Sequence, residues 1–310
     1  MKKRIVSLLL SLSVILALCG CSSGNSSSDF SVTFIDVGQG DAALVECDGE
    51  YMLIDAGTKA SGKAVVKTLK DRSEPITHLD ILVASHLHDD HIGGMVEVLE
   101  YLNLHENGNK IDLVLSNSSR GKTNSATEFV SRLERMGNTL TVPDQGETYK
   151  LGSAEVKVIY NSDATDNDSL VLLITYQKTT FLFTGDIEKE AQSRVAETLR
   201  EISDDLDGKQ NLMKMPHHGA YNSDPFLPDN ASDNSLGTLV SAAYANYFVI
   251  SVGKNNSYNH PDQKTLDVIS QALRANELKE SNRLFRTDDH GDIVVSVASN
   301  GRDIVVTPSK

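Results

Sequence analysis

One short segment constrains this chain more than any other, because three histidines and two aspartates lie within six residues. The segment reads Ser85-His86-Leu87-His88-Asp89-Asp90-His91-Ile92-Gly93-Gly94. Imidazole and carboxylate groups are ligands that suit divalent metals such as zinc. In an extended segment His86 and His88 point to the same side, so together they can hold one metal ion. The alternative, a solvated polar loop, is disfavoured by the tight ligand spacing and by the buried-type strand that precedes the motif.

The second half of the same motif is aimed at a second metal ion. Asp90 and His91 lie where the chain turns into the next predicted helix. Gly93 and Gly94 follow, and glycine allows the backbone to pack closely behind such a site. The sequence therefore predicts a site for two ions at the end of a strand.

The hydrophobic pattern predicts a layered α/β fold. Strands are predicted over 31–37, 42–47, 51–54, 79–84, 111–115, 140–142, 155–160, 170–176, 180–183, 212–215, 247–252, 284–286, 293–297 and 304–306, and helices over 63–71, 95–102, 126–136, 188–200 and 263–275. Two strand-rich blocks are each interrupted by single helices, which predicts two mixed sheets packed together with helices outside. Nothing between residues 30 and 310 reads as a linker, so one domain is expected there.

The first thirty residues are predicted to be an export signal and a tether. Lys2-Lys3-Arg4 precedes an apolar run over 5–18, which is too short for a comfortable transmembrane helix. The sequence Leu18-Cys19-Gly20-Cys21 resembles a bacterial lipobox. We therefore expect a signal peptide over 1–20, a lipid anchor at Cys21, a Ser/Gly-rich tether over 21–29, and a location on the extracellular face of the cell membrane. An ordinary signal peptide with incidental cysteines is the alternative.

The His-x-His-x-Asp-His motif resembles the signature of the metallo-β-lactamase superfamily, whose fold is a four-layered αββα sandwich. Further segments resemble later motifs of that superfamily in the same order: Phe34 to Ala42, Leu53 to Gly57, Phe183-Thr184-Gly185-Asp186, and Lys214-Met215-Pro216-His217-His218-Gly219. The C-terminal segments are similar to the hydrolase domain of ComEC-type competence proteins: Ser251-Val252-Gly253, Tyr258-Asn259-His260-Pro261, Arg286-Thr287-Asp288 and Gly291. Phosphorylcholine esterase of the same superfold is a more distant likeness.

The resemblance implies a role for each matching residue. The first metal site takes His86 and His88, the second takes Asp90, His91 and His218, and Asp186 bridges them. His217 stays nearby as a proton shuttle or substrate contact, although which histidine of the pair coordinates is left open. Asp55 orients a ligand histidine, whereas Asp36 and Asp41 fix the first turn and are not ligands. His260 is a candidate for protonating the leaving oxygen or a turn-capping loop residue, and Lys214 is either a salt-bridged strand residue or a phosphate contact.

One departure from the superfamily pattern narrows the chemistry. Classical members carry another histidine before the bridging aspartate, where this chain has Asp166-Asn167-Asp168-Ser169. The first site is then completed by Asp168, Asn167, water or substrate. More oxygen ligands favour manganese somewhat over zinc, and count against β-lactam hydrolysis.

Taken together, these features predict a hydrolase that uses two divalent metal ions, Zn or Mn. The expected reaction is phosphodiester hydrolysis, with DNA as one candidate substrate and with Asp90, His217 and His260 as catalytic residues. The formal net charge of −14 opposes long-range attraction of polyanions. It fits better the alternative of an esterase that acts on a small or cell-wall phosphoester. A non-catalytic metal-binding lipoprotein is a third hypothesis, which the near-complete ligand set disfavours.

Overall fold

The computed structural model describes residues 29–104, 110–165, 167–221 and 234–310. The predicted signal peptide over 1–20, the predicted anchor Cys21, the tether through residue 28, and Asp166 lie outside the described residues. Among the helices that can be described, none is both long enough and apolar enough to cross a bilayer.

Strands and helices alternate along the described chain much as the hydrophobic pattern predicts. The strands are β1 (Phe30–Phe34), β2 (Ala43–Cys47), β3 (Glu50–Ile54), β4 (Leu79–Ala84), β5 (Ile111–Ser116), β6 (Thr148–Leu151), β7 (Ala154–Tyr160), β8 (Val171–Tyr176), β9 (Thr179–Phe183), β10 (Gln210–Lys214), β11 (Tyr247–Ile250), β12 (Leu284–Arg286), β13 (Ile293–Val297) and β14 (Ile304–Pro308). The helices are α1 (Gly62–Lys70), α2 (Asp89–Ile92), α3 (Met95–Asn103), α4 (Asn124–Arg135), α5 (Lys189–Glu201), α6 (Ser203–Leu206), α7 (Ser235–Ala242), α8 (Gln263–Ala275) and α9 (Thr287–His290).

The strands of the described residues form two mixed sheets of seven. Their orders are β14-β13-β1-β2-β3-β4-β5 and β12-β11-β10-β9-β8-β7-β6. In the first sheet β3, β4 and β5 run parallel, and in the second β9 to β12 run parallel. The carboxyl ends of parallel strands meet at one edge of a sheet, which is where loops can bring distant side chains together.

Three layers of buried apolar side chains hold the sheets and helices together. Strand β4 contributes to two of these layers. Ile81 and Val83 of β4 pack between the two sheets, whereas Leu82 packs toward the helices on the outer face. This alternation is expected for a strand that is buried on both faces. A third layer lies between the second sheet and α5, α7 and α8. The predicted αββα sandwich is therefore confirmed.

The elements that differ from prediction have weak local signals. Residues 140–142 do not form a strand, and only Thr141 makes a bridge, to Leu115. Strand β6 was not predicted, because only its last residue is fully buried. Helix α7 was not predicted either, since it contains Gly237 and several hydroxyl side chains of low helix propensity. Packing of its buried residues against the second sheet stabilises it.

Candidate metal centre

The histidine-rich motif begins directly after β4 and is held close to the neighbouring backbone. A Cβ atom on Gly94 would lie 2.1 Å from the carbonyl oxygen of Ala56, and one on Gly40 would lie 2.4 Å from the carbonyl oxygen of Asp90. Such approaches are open only to glycine. The backbone N–H of Asp41 also donates to the carbonyl of Asp90 at 3.1 Å. Two glycine contacts thus fix the position of the motif.

Four side chains from three separate strand ends form the centre of the site. Asp90, His91, Asp186 and His218 each offer one ligand atom, and these atoms lie within 4.8 Å of one another. His91 Nε2 lies 3.2 Å from Asp186 Oδ2, and His218 Nε2 lies 3.2 Å from Asp90 Oδ2. Asp186 follows β9 and His218 follows β10, so the parallel strands of the second sheet supply both. These are the residues that the resemblance assigned to the second metal and to the bridge.

His86 and His88 lie beside this cluster. The ring centroids of His86 and His91 are 4.1 Å apart, and those of His86 and His88 are 4.6 Å apart. His86 is buried, whereas His88 remains partly exposed. The structure thus groups all the predicted metal ligands at one place.

The arrangement fits divalent cations. Among the described residues, the buried atoms His86 Nε2 and Asp186 Oδ1 have no hydrogen-bond partner. Buried polar atoms are rarely left unsatisfied, because each costs free energy. Imidazole nitrogens and carboxylate oxygens turned toward one point are the donors that zinc and manganese use. The expectation of a site for divalent cations is therefore supported.

Asp55 fixes the orientation of the His91 ring by a hydrogen bond on the side away from the cluster. Its Oδ2 lies 2.8 Å from Nδ1 of His91 and accepts a hydrogen bond from Ser85 Oγ at 2.6 Å. The Ser85 backbone N–H donates to the other oxygen of Asp55 at 2.8 Å. Because the Nδ1–H of His91 donates a hydrogen bond to Asp55, the other ring nitrogen, Nε2, is the one that can bind a metal ion. The predicted orienting contact therefore has a defined partner.

The electrostatics of the cluster place protons where cations would bind. Burial alone would raise the pKa of Asp186, but the charges of His91 and His218 outweigh it and hold that pKa well below its ordinary value. Burial lowers the pKa of His218, yet Asp186 and Asp41 outweigh it and raise the pKa to about 10. His86 differs, because burial and then the charge of His91 lower its pKa well below the ordinary value. His86 is therefore a neutral imidazole that is ready to coordinate.

Lys214 is buried beneath the cluster and does not face solvent. Its Nζ pairs with Asp41, donates to the carbonyl of Gly185 at 3.2 Å, and lies 3.9 Å from Asp186 Oδ1. Burial lowers the pKa of Lys214, but Asp41 and then Asp186 raise it above its ordinary value. Of the two roles expected for Lys214, the structure thus supports the salt-bridged strand residue.

Asp41 has a larger part in the site than the sequence indicated. Besides pairing with Lys214, its Oδ1 lies 3.3 Å from Nδ1 of His218. Asp36 does behave as expected, since its Oδ1 accepts from the backbone N–H of Gly38 within the first turn. The sequence around Asp41 could not indicate these contacts, because Lys214 and His218 lie far away along the chain.

His218, and not His217, belongs to the cluster. Both residues have positive φ angles, 53° and 49°, so the backbone turns sharply between them. Their side chains then diverge. His217 Nε2 lies 3.8 Å from Asp186 Oδ2, and its Nδ1 lies 3.3 Å from Glu188 Oε1. The sequence does not single out Glu188, because a glutamate at the start of a predicted helix is common.

His260 lies on the outer side of His217. The two ring centroids are 5.8 Å apart. Asn256 holds the loop in place by accepting from the N–H of His260 at 3.0 Å and donating to its carbonyl at 2.7 Å. Burial, and then the charge of His217, lower the pKa of His260. The lowered pKa leaves this ring largely unprotonated near neutral pH, so it holds no ready proton for a leaving oxygen.

The segment that lacks the classical histidine contributes a serine to the site. Asp168 turns away, because its Oδ2 accepts from Ser162 Oγ at 2.7 Å and from the backbone N–H of Thr165 at 3.0 Å. Asn167 donates to Glu188 at 2.7 Å. Ser169 Oγ lies 3.5 Å from His86 Nδ1 and accepts from the backbone N–H of Asp186 at 3.0 Å. In this arrangement the carboxylate of Asp168 is thus held by other partners, and the amide nitrogen of Asn167 is held by Glu188.

Comparison with known proteins identifies the fold family and several relatives. Residues 35–224, more than half of the chain, match the family model described as the metallo-beta-lactamase superfamily. ComE operon protein 3 of Bacillus subtilis is 26% identical over 291 residues, which cover 86% of this chain and 33% of that protein. This chain thus spans about a third of the length of that relative.

Two further likenesses are a shorter stretch of sequence and a solved structure. Anti-Pycsar protein Apyc1 of Bacillus phage BSP38 is 36% identical over 77 residues, or 25% of this chain and 28% of that one. Among solved structures, the metallo hydrolase Igni18 of Ignicoccus hospitalis covers 90% of this chain and 100% of its own, with 14% identity and a TM-score of 0.49.

Proposed function

Because the chain belongs to the metallo-beta-lactamase superfamily, we propose that it is a phosphodiesterase that uses two divalent metal ions. The observation that carries the proposal is the buried group of Asp90, His91, Asp186 and His218 beside the unpaired Nε2 of His86. The similarity of the C-terminal motifs to ComEC-type hydrolase domains supports phosphodiester bonds as the target. The segment Asp166-Asn167-Asp168-Ser169, which stands where classical members carry a histidine, supports a reaction other than β-lactam hydrolysis.

The side chains divide into those that hold the cations and those that handle the substrate. Asp90, His91 and His218 would hold one cation and His86 and His88 the other, with Asp186 placed between the two groups. When bound, such cations supply Lewis acidity toward phosphoryl oxygens and lower the pKa of water toward about 7. Manganese and zinc both suit these donors.

His217 is suited to protonate the leaving oxygen. Its Nε2 faces the cluster, and Glu188 lies 3.3 Å from its Nδ1. A carboxylate at this position fixes the orientation of the ring and directs Nε2 toward the cluster. His260 packs against His217 and restricts the movement of its ring. The proton therefore moves from His217 Nε2 to the departing alcohol.

We further propose that the protein works on the outer face of a bacterial membrane. The support is the sequence of residues 1–29, with a basic start, an apolar run and the lipobox-like segment that ends at Cys21. Labelling of the cells with a radioactive fatty acid tests this, because a Cys21→Ala variant should lose both the label and membrane retention. Retention of label in that variant would contradict the anchor.

A second candidate is an esterase for a small or cell-wall phosphoester. The formal net charge of −14 favours it, because a strongly negative protein repels long polyanions at a distance. Phosphate groups linked to cell-wall polymers are also within reach of a tethered enzyme. This candidate uses the same metal site and the same proton donor.

Hydrolysis of bis-p-nitrophenyl phosphate with added Mn²⁺ or Zn²⁺ tests the proposed activity. The wild type should release p-nitrophenol, and a His88→Ala variant should not. His78→Ala is the matched control, because His78 lies half-exposed before β4, at the opposite end of that strand from the motif. Wild-type protein that binds metal and yet turns over no phosphodiester would contradict both enzyme candidates and favour a metal-binding lipoprotein. Cleavage of single-stranded DNA that is lost in His88→Ala would favour the first candidate over the second.

A further inference from the structure

A cavity of about 280 Å³ opens beside His86 and His88. Its opposite wall consists mainly of residues 117–123, which connect β5 to α4. The volume is just below the range of about 300–1,000 Å³ that is typical of small-molecule sites. It can therefore hold a single monomer unit of a substrate and not a double helix.

The wall of this cavity carries positive charge in a protein that is strongly negative. Arg120 and Lys122 both line it, and both are exposed to solvent. Among the described residues of the lining Asp163 is the one carboxylate, and it accepts a hydrogen bond from Ser118 Oγ at 3.2 Å. The described part of the lining thus carries two cationic side chains and one carboxylate. An arginine and a lysine beside a phosphoester site are suited to bind a further phosphate.

Hydrogen bonds of Asn117 and close packing of Gly121 hold this wall of the cavity in place. Asn117 is only 6% exposed, and its Nδ2 donates to the carbonyls of Ser162 and Asp168 at 3.0 and 2.7 Å. Among the described residues its Oδ1 has no hydrogen-bond partner. A Cβ on Gly121 would lie 1.9 Å from Cβ of Ala126, so the loop packs directly on the start of α4. Asn117 and the packing of Gly121 thus hold the loop that carries the two cationic side chains in place.

We propose that Arg120 and Lys122 bind a second phosphate of a nucleic acid strand, one linkage away from the phosphate that is cleaved. The inference rests on the proposed phosphodiesterase function and specifies its substrate. Nucleic acid is favoured over a polyol phosphate by an aromatic surface beside the site. The ring of Tyr258, which is 65% exposed, stacks on His260 at a centroid distance of 5.7 Å. Exposed aromatic rings of this kind stack with bases of single strands.

Two chromogenic substrates that differ by one phosphate test the inference. Thymidine 5′-(p-nitrophenyl phosphate) has only the scissile linkage, and its 3′-phosphorylated form adds the second phosphate. The wild type should hydrolyse the 3′-phosphorylated form with a kcat/KM about tenfold higher, as expected for charge-assisted hydrogen bonds. In the double variant Arg120→Ala/Lys122→Ala the ratio of the two kcat/KM values should fall to about one.

The control removes the same charge elsewhere. Arg135 and Lys150 are exposed residues that do not line the cavity. The double variant Arg135→Ala/Lys150→Ala should keep the wild-type ratio. Equal kcat/KM values for both substrates in the wild type, or equal loss in both double variants, would overturn the subsite. A matched gain with a glycerol phosphate dimer ester would overturn the assignment to nucleic acid.

Binding measurements separate this inference from the proposed function. Isothermal titration calorimetry compares thymidine 3′,5′-bisphosphate with thymidine 5′-monophosphate as ligands of the whole protein. We expect the bisphosphate to bind about tenfold more tightly to the wild type and equally to Arg120→Ala/Lys122→Ala. If that difference appears without any turnover, the subsite stands and the proposed function fails. If turnover appears without that difference, the proposed function stands and the subsite fails.

Discussion

The carboxylate of Asp55 lies 2.8 Å from Nδ1 of His91, and both side chains are buried. The two residues come from neighbouring parallel strands, since Asp55 follows β3 and His91 lies beyond β4. This hydrogen bond decides which nitrogen of His91 faces the cluster. A contact of this kind affects the affinity of a metal ion without touching it.

An Asp55→Asn variant should therefore lose metal affinity. The amide keeps the size of the side chain but removes its charge, so His91 is held less firmly and is a weaker ligand. We expect a loss of about 10- to 100-fold, measured by competition with a chromophoric chelator. Asp204→Asn, at an exposed position in α6, is the control and should bind metal like the wild type. Unchanged affinity in Asp55→Asn would mean that the hydrogen bond does not orient the ligand.

Replacing Lys214 should destabilise the protein, because it would leave Asp41 buried without its cation. Removal of one partner of a buried ion pair typically costs about 3–5 kcal/mol of the free energy of unfolding. The Lys214→Met variant tests this by urea denaturation of metal-free protein. The double variant Asp41→Asn/Lys214→Met should be more stable than the sum of the two single changes predicts, since neither charge then remains. Strictly additive effects would show that the pair is not coupled.

The stability of the metal-free protein should fall as the pH rises from neutral toward 10. Asp186 and Asp41 outweigh burial and raise the pKa of His218 to about 10 in the folded state, against about 6.5 in an unfolded chain. The resulting stabilisation is complete below about pH 6.5 and is lost as the pH passes through the folded value. Thermal unfolding of chelator-treated protein at pH 6, 8 and 10 measures this effect. A His218→Asn variant should show a shallower slope, and an identical slope would refute the assignment.

The affinity for metal ions should rise with pH, whereas the stability of the metal-free protein falls. Burial lowers the pKa of His91 and of His218, but the charge of Asp186 outweighs it and raises both. A cation must therefore displace a proton from each ring before it can bind. Over the same pH range we therefore expect the affinity for Zn²⁺ to increase and each binding event to release protons. Titration calorimetry in two buffers of different ionisation enthalpy measures the protons released. Binding without proton release at pH 7 would contradict protonated histidines in the metal-free cluster.

A Gly94→Ala variant should lose both stability and metal affinity. The added Cβ would lie 2.1 Å from the carbonyl oxygen of Ala56, so the motif would have to shift. Overpacking of this kind typically costs about 1–3 kcal/mol. Gly208→Ala is the control, because Gly208 also resists substitution, with a φ of 71°, but has open space around it. The control should lose some stability and keep the wild-type metal affinity, as the chelator competition assay can show.

Much of the fold could be predicted because its signals are local. The alternation of apolar residues in β4 and the periodicity of α8 each depend on a few neighbouring residues, and α8 has the predicted bounds of Gln263–Ala275. The strand predicted over 140–142 does not form, because the local pattern does not show whether a strand finds a partner. Three apolar or β-branched residues suffice for the pattern, but only Thr141 finds a partner on β5. Short edge segments depend on neighbours that the local sequence does not name.

The sequence by itself determined that a cluster of metal ligands stands at the end of β4, because His86, His88, Asp90 and His91 are adjacent along the chain. Only the tertiary structure decided which distant groups join them. It brings His218 and not His217 into the cluster, pairs Asp41 with Lys214, and turns Asp168 away. These choices depend on the packing of two sheets against each other, and the backbone between His217 and His218 turns through two positive φ angles to allow it. Local spacing sets the ligand types, whereas long-range packing sets their partners and charges.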